Sequence, residues 1–583
     1  MNKSALRSAG AVSILALLVS LSGCHRHRKT TSAPNTTDYS DDLQPLVASK
    51  SLSFLRWPNV SDYQPFVKTF YEDRNYEIAW TRDSKPTPAA LGFIQAFTTA
   101  DSKGLNPQDY DSSRWPARIS SLSSRHEDAI AQFDVAMTVS VMRFISDLRI
   151  GRVNPQHFNF GLNVADKKYD LAEFVSDKAV DVTDVSKLLS TVQPDSEQYR
   201  QTEAALARYV ELARRQAGDT AEQPLPMVSK PLAAGDPYPE AGQLIQRLAL
   251  EEDIEAPTES EQTTPHVITK EISKGLRNYQ ERHGLTVDGK LTPDTVKSLN
   301  VPMSKRVAQL QDALERWRWL PEPYLNPRLI VNLPEFVLRG YDPDHKLQFT
   351  MKVVVGKVVG DHQTPVFARM MRYLVFRPFW NVPTDIARKE LVPHMETNHG
   401  YLETKNFEVI DGKGKLVPNY TVKQVAQGGV IVREKPGPKN SLGLVKFMFP
   451  NQYDIYLHST PAVSLFNRTR RDFSHGCVRV QQPAELAAWL LQDQKDKDGQ
   501  EWDLDKVNEA MNSGPDNHQV NLKSPVPIVI FYVTAEVEED GRVHFFDDIY
   551  GYDDSLQKVL AKGPPYPVRP DPAVPKPKPG DTV

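Results

Sequence analysis

Only two cysteines occur in 583 residues, so disulfides do not staple this chain. Cys24 closes an N-terminal apolar run, and Cys477 sits within Ser474-His475-Gly476-Cys477-Val478-Arg479. A chain of this length without covalent cross-links must hold itself by packed hydrophobic cores, and below one large core it divides into domains. A hydrophobic fraction of 40% suffices for such cores, and the length allows about three or four of them. The formal charge of −4 gives no basic footprint, which speaks against nucleic acid as a partner.

The first residues address the chain. Lys3 and Arg7 precede an apolar or small-residue run over 9–21 that ends in Leu21-Ser22-Gly23-Cys24. A permanent helical span needs about 20 apolar residues, so this run suits the core of a signal peptide, residues 1–23. Its ending resembles a bacterial lipobox, which makes Cys24 the lipidation site and attaches the chain to a membrane. The basic cluster His25-Arg26-His27-Arg28-Lys29 either faces anionic head groups or is simply solvated. His25 stands where Asp holds many enteric lipoproteins at the inner membrane, which favours the outer membrane of a Gram-negative bacterium. Residues 24–50, rich in Ser, Thr, Asn and Asp, read as anchor and tether.

The body reads as an α+β multidomain protein. Residues 51–238 are mainly helical, a scaffold without a catalytic constellation. Within it Ile130, Phe133, Met137, Val141, Phe144 and Leu148 recur at three- and four-residue steps, predicting an amphipathic helix over 129–148. Residues 239–303 form a small helical unit in which Ile272, Leu276 and Tyr279 share a face, Gly284 ends a helix, Asp288-Gly289 turns, and Thr292 caps the next helix with Pro293 in its first position. Beyond 325 the text changes to β-branched and aromatic runs at 328–337, 349–355, 371–376, 454–457 and 526–533. Residues 384–442 interrupt this strand-rich domain (304–550) with looser text and turn signals, a candidate lid. The last segment, 551–583, reads as a Pro-rich tail.

Cys477 is the candidate nucleophile. A free thiol titrates near ~8.5, and a histidine partner both lowers that value and accepts the proton. His458 ends the run 454–457 and Cys477 opens the run 477–480; as neighbouring strands they would bring imidazole and sulfur together. Gly476 lets a substrate carbonyl approach the backbone, and the N–H groups of Gly476 and Cys477 suit an oxyanion hole. The competing reading of a lone cysteine is a buried, inert one. A papain-like arrangement is disfavoured, because there Cys opens a helix and His follows far downstream. The fourteen histidines show no spacing typical of a metal site, and no cofactor is implied.

With its His458 … Ser474-His475-Gly476-Cys477-x-Arg479 motif the chain resembles the L,D-transpeptidase (YkuD) family, in particular its large YcbB-type periplasmic members. Supporting runs are Ala313-Leu314-Glu315-Arg316-Trp317-Arg318-Trp319-Leu320-Pro321, Val331-Asn332-Leu333-Pro334, Thr364-Pro365-Val366-Phe367 and Trp380-Asn381-Val382-Pro383. The unit at 239–303, with Tyr279-Gln280-x-x-His283-Gly284-Leu285, resembles the peptidoglycan-binding type 1 module, whose use here is either glycan binding or structural. The resemblance implies a Cys477 thioester formed on diaminopimelate of a tetrapeptide stem, resolved by the amine of a second stem. His458 would be the base, Ser459 its orienting partner, and His475 the support of the oxyanion loop. Ser474, Arg479, Tyr456 and Trp380 would bind substrate. Peptidoglycan stem peptides, glycan and other wall-synthesis enzymes are the implied partners. L,D-carboxypeptidase, attachment of a lipoprotein to the wall, and a non-catalytic wall-binding lipoprotein remain alternatives.

If Cys24 is acylated, cells fed a labelled fatty acid incorporate label into the wild type and not into Cys24→Ala. An unlabelled wild type would remove the lipid anchor and leave the reading of Cys477 untouched.

Overall fold

A computed structural model describes residues 38–123, 126–217, 223–255, 266–360 and 362–569. The signal peptide, Cys24, the basic cluster and the end of the Pro-rich tail lie outside the described residues.

Part of the segment expected as tether, 24–50, is helical. Residues 40–48 form a helix (Ser40–Ala48) whose Leu43 and Val47, one turn apart, are buried in the scaffold. The scaffold core gathers around the helix Glu127–Ile150. That helix is long and apolar enough to cross a membrane, but most of it is buried in the domain. It is also buried on more faces than an amphipathic helix would be. Its polar residues are consumed by neighbours: Asp134 accepts the N–H groups of Ala79 and Trp80 and the Tyr71 hydroxyl. A buried carboxylate so supplied costs little.

The stretch 51–238 divides between cores. Phe158 and Phe160, and Tyr199, Leu206 and Tyr209 of helix Glu197–Gln216, belong to the large core of the catalytic half, where that helix packs on Met303–Arg318. Residues 239–303 form three helices, Ala241–Leu250, Lys270–Arg282 and Pro293–Leu299, around their own core, which Leu225 also joins. Thr292 Oγ1 accepts the Thr295 N–H at 3.1 Å and caps the third helix. Gln280 is fully buried and clamps the Asp288-Gly289 turn, accepting both N–H groups. His283 stacks between Tyr279 and Phe545, and Arg282 donates to the Val543 carbonyl. The signature residues of this unit therefore hold its fold and dock it on the hairpin Ala535–Val537/Val543–Phe545.

The catalytic half is built on a sheet of nine strands: β1 (Leu329–Asn332), β2 (Val337–Tyr341), β3 (Leu347–Gly356), β4 (Phe367–Phe376), β5 (Val445–Met448), β6 (Leu457–His458), β7 (Asp472–Ser474), β8 (Val478–Val480) and β9 (His518–Phe531). Their order is β7-β3-β8-β6-β5-β4-β9-β1-β2, and β2 pairs back onto β3, closing the sheet on itself. Most pairs are antiparallel; β6–β8, β9–β1 and β7–β3 are parallel. The run expected as one strand over 328–337 is the two arms of a turn, in which Phe336 takes a positive φ of 61°.

The interruption at 384–442 lies between β4 and β5, which are sheet neighbours (Val445 opposite Phe376), so it leaves and re-enters the barrel at one place. It has its own three-stranded sheet, Trp380–Asn381, Ile431–Glu434 and Phe407–Ile410, and a separate apolar core including Leu402, Val425 and Val432.

The tail is not a tail at its start. Residues 552–560 are a helix (Tyr552–Leu560) with Tyr552, Leu556 and Val559 in the large core. Asp553 of this helix pairs with Arg316, both buried. The chain then returns to the scaffold, where the Tyr566 hydroxyl donates to Asp109. An apolar i, i+4 pattern inside a Pro-rich end is easily outweighed by composition.

Scaffold and catalytic half meet at Glu315, which has no exposed surface. It accepts the N–H groups of Arg152 and Val153 and faces the Arg152 and Arg318 guanidinium groups. Gly151 (φ +80°) is needed there, since a Cβ would lie 2.9 Å from the Glu315 carboxylate and 2.7 Å from the Trp319 indole nitrogen. Glu315→Ala is expected to cost about 3–5 kcal/mol, because it leaves two buried cations without a counter-charge. Denaturant unfolding checks this; a loss below about 1 kcal/mol would show that the junction does not depend on this carboxylate.

Candidate active site

Three strands form the floor of the site. In β5 and β8 the side chains alternate, with Val445, Phe447, Val478 and Val480 buried in the barrel and Lys446, Met448 and Arg479 on the other face. In β6, Leu457 points into the barrel and His458 away from it. Above lies a cavity of about 1400 Å³, roofed by the interruption at 384–442.

The pairing of β6 with β8 is parallel, Leu457 opposite Val478 and His458 opposite Arg479, and the Val478 N–H donates to the Tyr456 carbonyl. This brings Cys477, one residue before β8, beside Tyr456, one residue before β6. His458 Nδ1 donates to the Ser459 carbonyl at 2.6 Å, which leaves Nε2 as the basic nitrogen. Ser459 thus touches the imidazole through its backbone, not its hydroxyl; that hydroxyl lies against Gly443, where a Cβ would sit 2.4 Å from it.

At rest the thiol and the imidazole are both uncharged. Burial, then the positive charge of Arg479, pushes His458 down to about 3, against the Ser459 and Leu442 carbonyls. Burial also pushes the Cys477 thiol up to about 11, opposed by hydrogen bonding from Tyr456. The thiol lies 3.7 Å from the Asp454 carbonyl, and among the described residues no hydrogen bond joins it to His458. The expected imidazole–sulfur hydrogen bond is thus not formed among the described residues; the thiol donates toward the Asp454 carbonyl instead.

The loop before Cys477 is knitted internally. Ser474 Oγ accepts the Gly476 N–H at 3.1 Å and donates to the Cys477 carbonyl at 2.6 Å. Its hydroxyl is occupied by the loop rather than offered to substrate, and the Gly476 N–H is not free for an oxyanion. The Cys477 N–H has no partner among the described residues and is the donor left for that task. Gly476 takes φ +129°, a backbone that side chains rarely adopt.

His475 does not reach the thiol. Its Nε2 meets Glu390 at 2.7 Å and its ring stands edge-on to His362 at 4.9 Å, so it ties the cysteine loop to the roof. Tyr456 shares hydrogen bonds with Cys477 and with Trp380 of the roof, and both rings line the cavity. Arg479 lines it too, with no ion pair among the described residues. Arg470 and Arg471, from the excursion before β7, turn away: Arg470 pairs with Asp472, and Arg471 binds the carbonyls of Val353 and Phe336.

Three contributors carried no sequence signal of their own role. Thr364 Oγ1 donates to the Gly476 carbonyl at 2.7 Å and accepts the Gly356 N–H at 2.9 Å, holding the cysteine loop to β3. Thr364 stood in a family-like run, without a task. Glu390 lay in text that suggested only a lid, and Lys446 opened another family-like run, 446–451, without a task.

A thiol just before one strand and an imidazole at the end of its parallel neighbour thus line one roofed cavity. Residues 326–528 match the model of the L,D-transpeptidase catalytic domain (YkuD), and residues 65–206 match that of a scaffold domain. A protein of Haemophilus influenzae (strain ATCC 51907 / DSM 11121 / KW20 / Rd) named "Putative L,D-transpeptidase" is 30% identical over 277 residues, which cover 46% of this chain and 54% of that one. The chain thus spans about half the length of this curated relative. The barrel is thus similar to L,D-transpeptidase catalytic domains, and the helical region before it to a scaffold domain.

A thiol at about 11 is mostly protonated at neutral pH, and an imidazole at about 3 adds no limb above pH 4. Alkylation of Cys477 by iodoacetamide is therefore expected to rise about tenfold per pH unit from 7 to 10 without levelling. Mass spectrometry of the adduct against time checks this; a plateau near pH 7 would mean a resting thiolate–imidazolium pair.

Proposed function

We infer that this protein is a peptidoglycan L,D-transpeptidase of the cell wall, acting in the periplasm. The observation that carries the reading is Cys477 just before β8 and His458 at the end of its parallel neighbour β6, both lining one roofed cavity. With a donor stem bound, Cys477 turns toward β6. Its sulfur attacks the carbonyl of the third stem residue while His458 Nε2 takes the thiol proton. The developing oxyanion meets the Cys477 N–H. The terminal D-alanine leaves as the amine, receiving the proton from His458, and a thioester remains. His458 then takes a proton from the amine of a second stem, which attacks the thioester and restores the thiol, forming the crosslink.

The neutral resting pair fits this order, since a protonated thiol is not spent on chance electrophiles. The roof at 384–442 excludes water so that an amine resolves the thioester, and the Glu390–His475 contact couples its position to the cysteine loop. A lipid on Cys24 would hold the protein at the outer membrane, within reach of the wall. Carboxypeptidase activity shares the same acyl-enzyme and differs in the resolving nucleophile.

Incubated with purified sacculi, the wild type is expected to yield muropeptide dimers joined between third residues, and Cys477→Ala none while keeping its fold. A variant lacking 384–442 should shift product from dimer to hydrolysed tripeptide. Dimers formed by Cys477→Ala would refute the nucleophile, and an unchanged product ratio would refute the water-excluding roof.

A further inference from the structure

A row of basic side chains crosses the cavity floor. Lys446 of β5 stands in register with His458 of β6, and His458 with Arg479 of β8. Residues in register on adjacent strands share a face, and all three line the cavity that holds Cys477. Neither outer cation has a carboxylate: among the described residues Lys446 and Arg479 join no ion pair. Arg479 Nε is buried without a hydrogen-bond partner. Lys446 Nζ has only the Tyr456 ring, 5.8 Å away. Five acids also line the cavity, Asp385, Glu390, Glu403, Glu434 and Asp454, and among the described residues none forms an ion pair with Lys446 or Arg479; Glu390 meets His475, Asp385 meets Arg388 and Glu434 accepts the Ser441 N–H. Two half-buried cations held apart by one residue, with no internal counter-charge, are costly unless a ligand supplies that charge.

We propose that Lys446 and Arg479 form a carboxylate-binding site flanking His458, which receives a free carboxylate of the donor peptide next to the scissile amide. The site rests on the reading above that a stem peptide acylates Cys477. Two carboxylates of a tetrapeptide stem have this chemistry, that of the leaving D-alanine and that on the side chain of the acyl residue. Either would place a negative charge beside His458. There it offsets the field of Arg479 and Lys446, which opposes protonation of the imidazole. The donor thus helps to make the base that its own acylation requires, with Tyr456 and the Ser459 and Leu442 carbonyls as the other groups around the ring.

The test is acylation of the full-length protein by three synthetic tetrapeptide donors: one with both carboxylates free, one with the terminal carboxylate amidated, and one with the side-chain carboxylate amidated. Wild type is expected to lose about ten- to a hundredfold in kcat/KM with one amidated donor and little with the other, which identifies the carboxylate read. Lys446→Met should lose a similar factor with the free donor and nothing further with that amidated donor, at unchanged melting temperature. Lys446→Arg should recover part of the loss. If Lys446→Met slows all three donors equally, the cations serve the thiol and the site is overturned. If wild type discriminates among none of the three, the site is overturned while the transpeptidase reading stands. If it is acylated by none, that reading fails and the site with it.

Discussion

The parallel pairing of Leu457–His458 with Val478–Val480 is the constraint on which the active site depends. Parallel neighbours cannot be joined by a tight turn, so the chain must leave the sheet and come back to the same end. The excursion between them returns through β7 to the far edge of β3, and its last residues make the Ser474–Cys477 loop. Cys477 therefore sits where a strand begins and His458 where its neighbour ends. Closure of the sheet through β2 and β3 fixes that register from both sides, since a one-residue slip of β8 would turn Arg479 into the apolar interior and Val478 out of it.

The same site is held from outside the barrel. Thr364 bonds the Gly476 carbonyl, the Tyr550 hydroxyl bonds the Gly356 carbonyl beside it, and Tyr550 N–H reaches Tyr532, which donates to Asp548. This chain of buried polar contacts leads from the cysteine loop to helix Tyr552–Leu560, whose Asp553 meets Arg316 on the helix that carries Glu315. Scaffold, C-terminal helix and cysteine loop are thus joined by hydrogen bonds whose loss would strand buried charge. The roof has its own core and meets the loop at fewer points, Glu390 with His475 and Trp380 with Tyr456. A unit attached in this way has the build of a moving part.

Much of the architecture was legible in the chain. Period-two and period-three-to-four patterns separated strands from helices, and capping chemistry at Thr292-Pro293 marked a helix start at its observed position. The helix Ser40–Ala48 and the helix after Tyr552 were missed because Ser, Asp and Pro dominate their surroundings, and two or three apolar residues per helix are a weak signal without a partner surface. The scaffold's single reading over 51–238 failed where helix Glu197–Gln216 crosses to another core. Its apolar face shows that it packs, not on what.

The sequence by itself determined the chemical cast: one cysteine in the body of the chain, a histidine upstream on an apolar run, and a glycine beside the sulfur. These follow from residue type and local spacing, which need no knowledge of neighbours. Only the tertiary structure decided what each does. Ser459 acts through its carbonyl, Ser474 closes its own loop, His475 reaches for the roof, and Lys446 and Arg479 bracket His458 across three strands. Their partners are far apart in the chain, and strand register and burial, not spacing, set the surroundings that push the thiol up and the imidazole down.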